Sequence, residues 1–478
     1  MSEVYDANLT LGHSIFDHAQ LGDKRRNHRL AELFDAMKRN PGGSLPDKFA
    51  DPADLRAFYR LCDSPDVTHA ALIAAIRKHT LSKMDACPGR VLIIHDATEL
   101  NYSTLKSLVE DLAQIGNGVG RGYICQNVIA VNADTGEVLG LLDQILHRRA
   151  KTPKKETKAQ LRARNTRESL LWLKGTKHLA DDTRLIDVCD RGADTFEFLE
   201  HECKSGRRFV IRSCKVRKVY AGHDTSQPQQ FLADYAHALP EAGRFTMDVQ
   251  AQKGRKGDKD KARPPRKARK DAEFSVQYGA LMVCRPHVKT GNHGNAPLAM
   301  YVVRVIEVAP PAGEKPVEWT LLTNEPVKSF RAAWRVIHYY ERRWIIEEFH
   351  KGMKTGCKIE DLQFTTVDRL QPAIALLSTL ALTLLNLRDM SRLTEAKSTP
   401  AVTWLDEVYV IVLSLWRFKE IKALTVHEFF YALARLGGHQ NRSCDHQPGW
   451  IVIWRGWAKL QHMIHGYHAA QTMTCGKT

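Results

Sequence analysis

The chain has 478 residues, 43% of them apolar and 26% charged, which excludes an intrinsically disordered protein and allows two or three domains. Its 70 lysines and arginines against 54 aspartates and glutamates give a net charge of +16, which favours nucleic acid over an anionic membrane as the partner. We expect a cytoplasmic protein with reduced thiols, because no apolar run reaches the roughly 20 residues of a membrane span, no secretory signal is apparent, and the ten cysteines form no CxxC pair.

The first 80 residues predict short helices with basic faces. Asp23 is a candidate N-cap for a helix that carries Arg25, Arg26 and Arg29 in its first turns, and Pro52 opens a second helix. A third helix is predicted after residues 64–68. Such helices suit a DNA-binding module, and the same composition also fits an ordinary helical domain with solvated arginines.

Residues 90–212 alternate between predicted strands and helices. One apolar strand ends at Asp96, residues 127–142 form a hairpin around the turn at 133–136, and another apolar strand ends at Asp190. Helices are predicted to begin near residues 169 and 194, and a further strand covers residues 207–212. The order predicts an α/β fold in which two acids follow buried strands.

Residues 215–320 predict an antiparallel β insertion. Alternating apolar and polar residues indicate strands at 244–249, 274–278 and 298–306. Between the first two strands, residues 253–270 hold ten lysines and arginines against two aspartates, a run typical of a flexible, solvated loop. Later, residues 372–387 are apolar on nearly every side, which predicts a buried helix within a helical C-terminal region.

Residues 340–354 carry the most informative spacing in the chain, Y-x2-R-x3-E-x6-K, formed by Tyr340, Arg343, Glu347 and Lys354. On one regular α-helix these four positions fall within an arc of about 60°. One face would then hold a metal-binding acid beside groups that bind a phosphate, whereas Glu348 would lie about 100° away. The alternative is an amphipathic helix with a solvated, charged face.

Asp96 and Asp190 are the candidate partners of Glu347 in a metal-dependent phosphodiester site. Such chemistry uses about three carboxylates around two divalent ions. An acid after a strand also commonly serves a turn or caps a helix. Asp187 and Asp194 compete with Asp190, although Asp187 should lie on the opposite face of the strand and Asp194 is a natural cap for the next helix.

The strings around these residues resemble the insertion-sequence-four family of bacterial cut-and-paste DDE transposases, and its Tn-five type in particular. Residues 340–354 are similar to the YREK signature of that family, and residues 94–102 and 188–194 are similar to its two aspartate segments. Gly192 stands where the family has an acid, so no accessory role is carried to that position. The resemblance implies an α/β, ribonuclease-H-like catalytic domain over residues 81–369, interrupted by a β insertion at about 215–320, with a helical DNA-binding domain over 1–80 and a helical dimerisation domain over 370–478.

By the same resemblance, the catalytic and metal-binding triad is Asp96, Asp190 and Glu347, with two Mg²⁺ ions expected and Mn²⁺ as a substitute. The implied reaction is nicking, hairpin formation, hairpin resolution and transfer to target DNA by a homodimer that pairs two inverted-repeat ends. Two other readings remain open: a metal-dependent nuclease without strand transfer, and a non-catalytic DNA-binding regulator. The implied DNA contacts are Tyr340, Arg343 and Lys354 on phosphates, Trp319 on a flipped base, and Arg212, Lys351, Arg25, Arg26 and Arg29.

Overall fold

The computed structural model describes residues 11–40, 42–151, 155–252, 254, 264–289, 291–442, 445 and 447–475. The fold is mixed α/β. The chain divides into two compact units, the first containing residues up to 88, 97–149 and from 345 onward, and the second containing residues 89–96 and 150–344. Most of the basic run at 253–270 lies outside the described residues.

The described residues form helices mainly towards the two ends of the chain and strands mainly in its middle. The helices are α1 (Leu11–Phe16), α2 (Lys24–Arg39), α3 (Pro52–Cys62), α4 (His69–Ala86), α5 (Lys158–Ala163), α6 (Leu171–Gly175), α7 (Phe196–Lys204), α8 (Leu232–Ala238), α9 (Phe330–Glu341), α10 (Trp344–Lys351), α11 (Val367–Met390), α12 (Glu407–Phe418), α13 (Val426–Leu436) and α14 (Trp450–Cys475). The strands are β1 (Val91–Asn101), β2 (Ala113–Gln114), β3 (Arg121–Asn132), β4 (Val138–His147), β5 (Leu185–Cys189), β6 (Arg208–Arg212), β7 (Lys218–Ala221), β8 (Gln230–Phe231), β9 (Glu241–Val249), β10 (Arg269–Val283), β11 (Leu298–Glu307) and β12 (Glu318–Thr323).

In the first unit, side-chain caps define the N-terminal helices. Asp23 accepts a hydrogen bond from the Arg25 amide at 2.8 Å, so the predicted cap of α2 is confirmed. Pro52 stands in the first turn of α3, and Thr68 caps α4. Helices α4 and α11 pack against β4 of the β3–β4 hairpin. Helix α11 contains a long buried stretch, as the apolar run predicted. Among the described residues, no helix combines the length and the apolarity that a membrane span requires.

The second unit is built on a mixed sheet. Its strand order is β1, β5, β6, β12, β11, β10, β7 and β8, with β9 paired to β10. Strands β1, β5 and β6 run parallel, and the other described pairs in this unit are antiparallel. The strands predicted at 244–249, 274–278 and 298–306 are confirmed as parts of β9, β10 and β11. Residues of α7, β6 and β11 share one hydrophobic core with the neighbouring strands.

The prediction of one regular helix over residues 340–354 is wrong. Helix α9 ends at Glu341, Arg342 and Arg343 form a turn, α10 begins at Trp344, and residues Gly352–Gly356 form a wider π-helical turn. In an unbroken helix Ile345 would point about 180° away from Val336; both side chains are buried, Val336 in the second unit and Ile345 in the first. The four signature residues therefore do not share one regular helical face.

Candidate active site

Asp96 and Asp190 follow equivalent positions on two neighbouring parallel strands. His95 is the register partner of Cys189 in the β1–β5 pair, and each of the two acids is the next residue along its chain. Parallel strands end at the same edge of a sheet, which is where α/β proteins bind ligands. The second unit therefore brings the two predicted aspartates side by side at the carboxyl edge of its sheet.

The buried Cys189 thiol lies within electrostatic reach of both carboxylates. Burial, followed by the negative charges of Asp187, Glu202, Asp190 and Asp96, raises its pKa well above the ordinary value. Asp190 also accepts a hydrogen bond from the Gly192 amide at 2.8 Å and so caps the short turn that follows it. One Asp190 oxygen therefore accepts a hydrogen bond within this turn, which is the turn-forming role that the sequence also allowed for an acid after a strand.

Asp187 belongs to a buried network of ionisable side chains that does not include Asp96 or Asp190. His95 Nε2 lies 2.7 Å from Asp187 Oδ1, and Arg207 donates through Nε to Asp187 Oδ2 at 2.9 Å. Arg207 Nη2 also lies 3.5 Å from Glu202, and all four side chains are almost fully buried. Asp187 is thus occupied by structural partners, as its position on the opposite face of the strand predicted.

Asp194 does not cap α7, so that prediction is wrong. Thr195 is the N-cap, because its side chain accepts from the Phe198 amide. Asp194 is instead fully buried, where it pairs with Arg217 and accepts from the amides of Cys214 at 2.7 Å and Lys215 at 2.8 Å. It serves to anchor the chain that leaves β6, a role that depends on contacts twenty residues away and has no local sequence signal.

Arg343 connects the aspartate edge to a pair of aromatic rings. It donates a 3.0 Å hydrogen bond to Asp96 Oδ2, and its guanidinium carbon lies 5.9 Å from the centre of the Tyr340 ring. The Tyr340 ring in turn meets Trp319 edge-to-face at 5.4 Å between centroids. Within the second unit, three predicted DNA contacts therefore form a continuous row that begins at Asp96.

Arg212 and Trp319 line a common cavity of about 370 Å³. Arg212 donates to the carbonyl of Glu318 at 2.8 Å, which fixes its guanidinium beside the strand that carries Trp319. The sequence analysis missed three further cations in the cavity wall, Arg191, Arg266 and Lys315. Arg191 follows Asp190 directly and could have been proposed on that ground. Arg266 belongs to the basic run at 253–270, whose composition predicts a solvated loop, and Lys315 comes from a segment without a motif.

Glu347 lies in the first unit, half-buried in the first turn of α10. Its neighbour Glu348 forms an ion pair with Arg388, a buried arginine of α11 that also pairs with Asp389 at 2.6 Å. Glu348 is therefore held by a structural partner within the same unit.

The remaining predicted DNA contacts all lie in the first unit, and they differ in their exposure and in their ion-pair partners. Lys351 is exposed at the end of α10, and Lys354 bonds the carbonyl of Glu99 and lies 3.6 Å from Glu360. Arg26 pairs with Asp66 at 2.6 Å and Arg29 with Asp54 at 2.6 Å, so both tie α2 to neighbouring segments. Arg25 pairs with Asp23 and has the most exposed side chain of these three arginines, at 93%.

Comparison with known families fits this arrangement. Residues 13–67 match the transposase DNA-binding family, and residues 88–384 match the transposase DDE domain family. The second match covers well over half of the chain, so this protein belongs to the DDE-domain transposases. It is accordingly a DDE-type enzyme that acts on DNA, and its N-terminal helices form a DNA-binding region.

Enzymes of this family depend on a divalent metal, and the residues present fit one. Hard divalent cations take carboxylate and phosphate oxygens as ligands. The strand register sets the Asp96 and Asp190 carboxylates next to each other, and Arg343 offsets part of their mutual repulsion through its bond to Asp96. These oxygens are the donors that such an ion would bind.

Proposed function

We propose that this protein is a cut-and-paste DNA transposase of the YREK type, in the insertion-sequence-four family and similar to the Tn-five type. The observation that carries the proposal is the pair of aspartates at one sheet edge, with Arg343 bonded to Asp96 and Glu347 four residues further along the chain. A regulator that only binds DNA has no need of acids in this arrangement.

Asp96, Asp190 and Glu347 are the proposed ligands of two Mg²⁺ ions, with Mn²⁺ as a substitute. When bound, such ions activate the attacking oxygen and stabilise the leaving oxygen. Tyr340, Arg343 and Lys354 hold phosphates next to the cut, with Arg212 and Lys351 as further contacts. Trp319 stacks on a base that leaves the helix, since an aromatic face accepts any base.

The proposed reaction has four steps. Water attacks the phosphorus at the element end and releases a 3′-hydroxyl, which then attacks the opposite strand to form a hairpin and free the flanking DNA. Water reopens the hairpin and regenerates the 3′-hydroxyl, which finally attacks a phosphorus of target DNA. Stacking on Trp319 stabilises the base displaced by the tight hairpin.

The assembly follows from the substrate. Each element has two inverted-repeat ends, so we propose a homodimer that pairs them and joins them to target DNA. Residues 1–80, including Arg25, Arg26 and Arg29, form the end-binding domain. Residues 81–369 form the ribonuclease-H-like catalytic domain with its β insertion at about 215–320, and residues 370–478 form the dimerisation domain. The protein acts in the bacterial cytoplasm.

Excision tests the proposal directly. Purified protein is incubated with Mg²⁺ and a donor DNA that carries the inverted repeats flanking its own gene, beside Glu347→Gln and the matched neighbour Glu348→Gln. We expect hairpin-ended excision products with wild type and Glu348→Gln and none with Glu347→Gln. Cleavage of any DNA without dependence on the ends would instead indicate a nuclease, and end binding without cleavage by wild type would indicate a regulator.

A further inference from the structure

The second unit contains a larger cavity, of about 870 Å³, whose wall shares no residue with the cavity beside Trp319. Its lining comes from the chain after β6, the start of α7, strand β8 and the chain after β10. Its wall lies near Asp190 along the chain, because Asp194 in the wall follows Asp190 by four residues. Cys214, which precedes the wall residue Lys215, donates through its Sγ to the carbonyl of Arg191 at 3.4 Å.

The wall of this cavity carries a surplus of positive charge. Its two acids are already satisfied: Asp194 binds Arg217, and Glu197 accepts from both terminal nitrogens of Arg167 at 2.8 and 3.0 Å. Three more cations, Lys215, Lys218 and Arg285, line the same wall and are exposed. Across the described parts of the chain, no carboxylate forms an ion pair with any of these three. The cavity therefore presents about three uncompensated charges to an anion.

Apolar and aromatic side chains stand among these cations. Phe231 is 47% exposed and Val216 is 88% exposed, although both are large hydrophobic residues. Tyr220 also lines the wall, where its hydroxyl accepts from Gln229 at 2.8 Å. Cations that track a phosphate chain, combined with rings on which bases stack, are the features that bind single-stranded nucleic acid.

We propose that this cavity binds an unpaired nucleotide of a DNA strand, with phosphates held by Lys218 and Arg285 and the base stacked on Phe231. The ligand is a strand rather than a free nucleotide, because the wall begins just beyond the carboxyl ends of β5 and β6, the edge that carries Asp190. A strand that passes the aspartates can continue into the cavity. The inference rests on the proposed function only in taking DNA as the substrate.

Photocrosslinking locates the bound strand. The full-length protein is mixed in EDTA with a single-stranded oligonucleotide of eight 5-iododeoxyuridines, irradiated, digested and sequenced by mass spectrometry. We expect adducts on Phe231 or Tyr220, and their loss in Phe231→Ala. Adducts confined to Trp319 or the N-terminal helices would overturn the proposal while leaving DNA binding intact.

Binding measurements provide the second test, again in EDTA, so that cleavage plays no part. Lys218→Glu/Arg285→Glu is compared with Lys106→Glu/Lys177→Glu, which makes the same charge change at exposed lysines outside the cavity. We expect the cavity pair to weaken oligonucleotide binding about ten-fold more than the control and to reduce the salt slope by about 1.4, the value for two phosphate contacts on a single strand.

Phe231→Ala should weaken binding about five-fold or more, and Ile421→Ala, an exposed apolar control, should not. Melting temperatures of all variants confirm that they are folded. Equal weakening by the two charge pairs, or unchanged binding by Phe231→Ala, would overturn the proposal. Failure of wild type to excise donor DNA with Mg²⁺ would count against the transposition steps and not against this cavity.

Discussion

Replacing Asp187 by leucine should destabilise the second unit strongly. The substitution removes the carboxylate that receives both Arg207 and His95 and leaves a buried guanidinium. Breaking a buried ion pair from one side costs about 3–5 kcal/mol. The loss should fall near 3 kcal/mol on that scale, because Glu202 remains close to Arg207 at 3.5 Å and can take over part of the pairing.

The expected loss of stability lies at the lower end of this range because of the ionisation of Glu202. Burial, followed by the charge of Asp187, raises the pKa of Glu202 well above its ordinary value. Removing Asp187 removes one cause of that rise, so Glu202 ionises more readily beside Arg207. A loss of about 3 kcal/mol in a unit of this size lowers the melting temperature by about 6–12 °C.

Differential scanning calorimetry of wild type, Asp187→Leu and Asp187→Leu/Arg207→Met measures the effect. The double variant removes both charges together, so it should recover much of the stability that the single variant loses, because replacing a whole buried pair is often near neutral. A melting temperature within about 2 °C of wild type for Asp187→Leu, or a double variant less stable than the single one, would refute the assigned role of this network.

Three further outcomes are expected. Because the pKa of Glu202 is raised in the folded protein, the contribution of this glutamate to stability should fall as pH rises above 4.5, where it ionises in the unfolded chain; in urea denaturation between about pH 4 and 8, wild type should therefore lose stability relative to Glu202→Gln as pH rises. Gly12→Ala would place a Cβ 2.3 Å from the carbonyl oxygen of Ala31 and should cost about 1–3 kcal/mol, whereas Gly466→Ala, with open space around it, should cost nothing in the same denaturation assay. Trp319→Ala should reduce hairpin formation about five-fold or more, with nicking of labelled end DNA retained; equal loss of nicking would contradict a role confined to the flipped base.

The acids that end strands could be found from the sequence because the signal is local. Each acid can be recognised from a local pattern, an apolar run that forms a buried strand and is followed by a polar residue, Asp96 in one case and Asp190 in the other. That the two acids lie side by side could not be predicted from local sequence, because the pairing of β1 with β5 joins residues more than ninety positions apart. The family resemblance supplied that link, and the register supports it.

The predictions that failed depended on long-range contacts or on an assumed regular geometry. Asp194 looks like a helix cap from its neighbours alone, but its carboxylate is claimed by Arg217 and by amides twenty residues later. The helix over 340–354 was assumed to be uniform, whereas the chain forms a turn at Arg342 and Arg343 and a π-helical turn at Gly352–Gly356.

The turn at Arg342 and Arg343 changes how the signature residues work together. On a regular helix, Arg343 would be one of four side chains projecting from a single face. In the structure it stands between two helices, where its guanidinium reaches Asp96 and also lies over the Tyr340 ring. Tyr340 and Arg343 are therefore related by their contacts with each other and with Asp96 rather than by a helical face shared with Glu347 and Lys354.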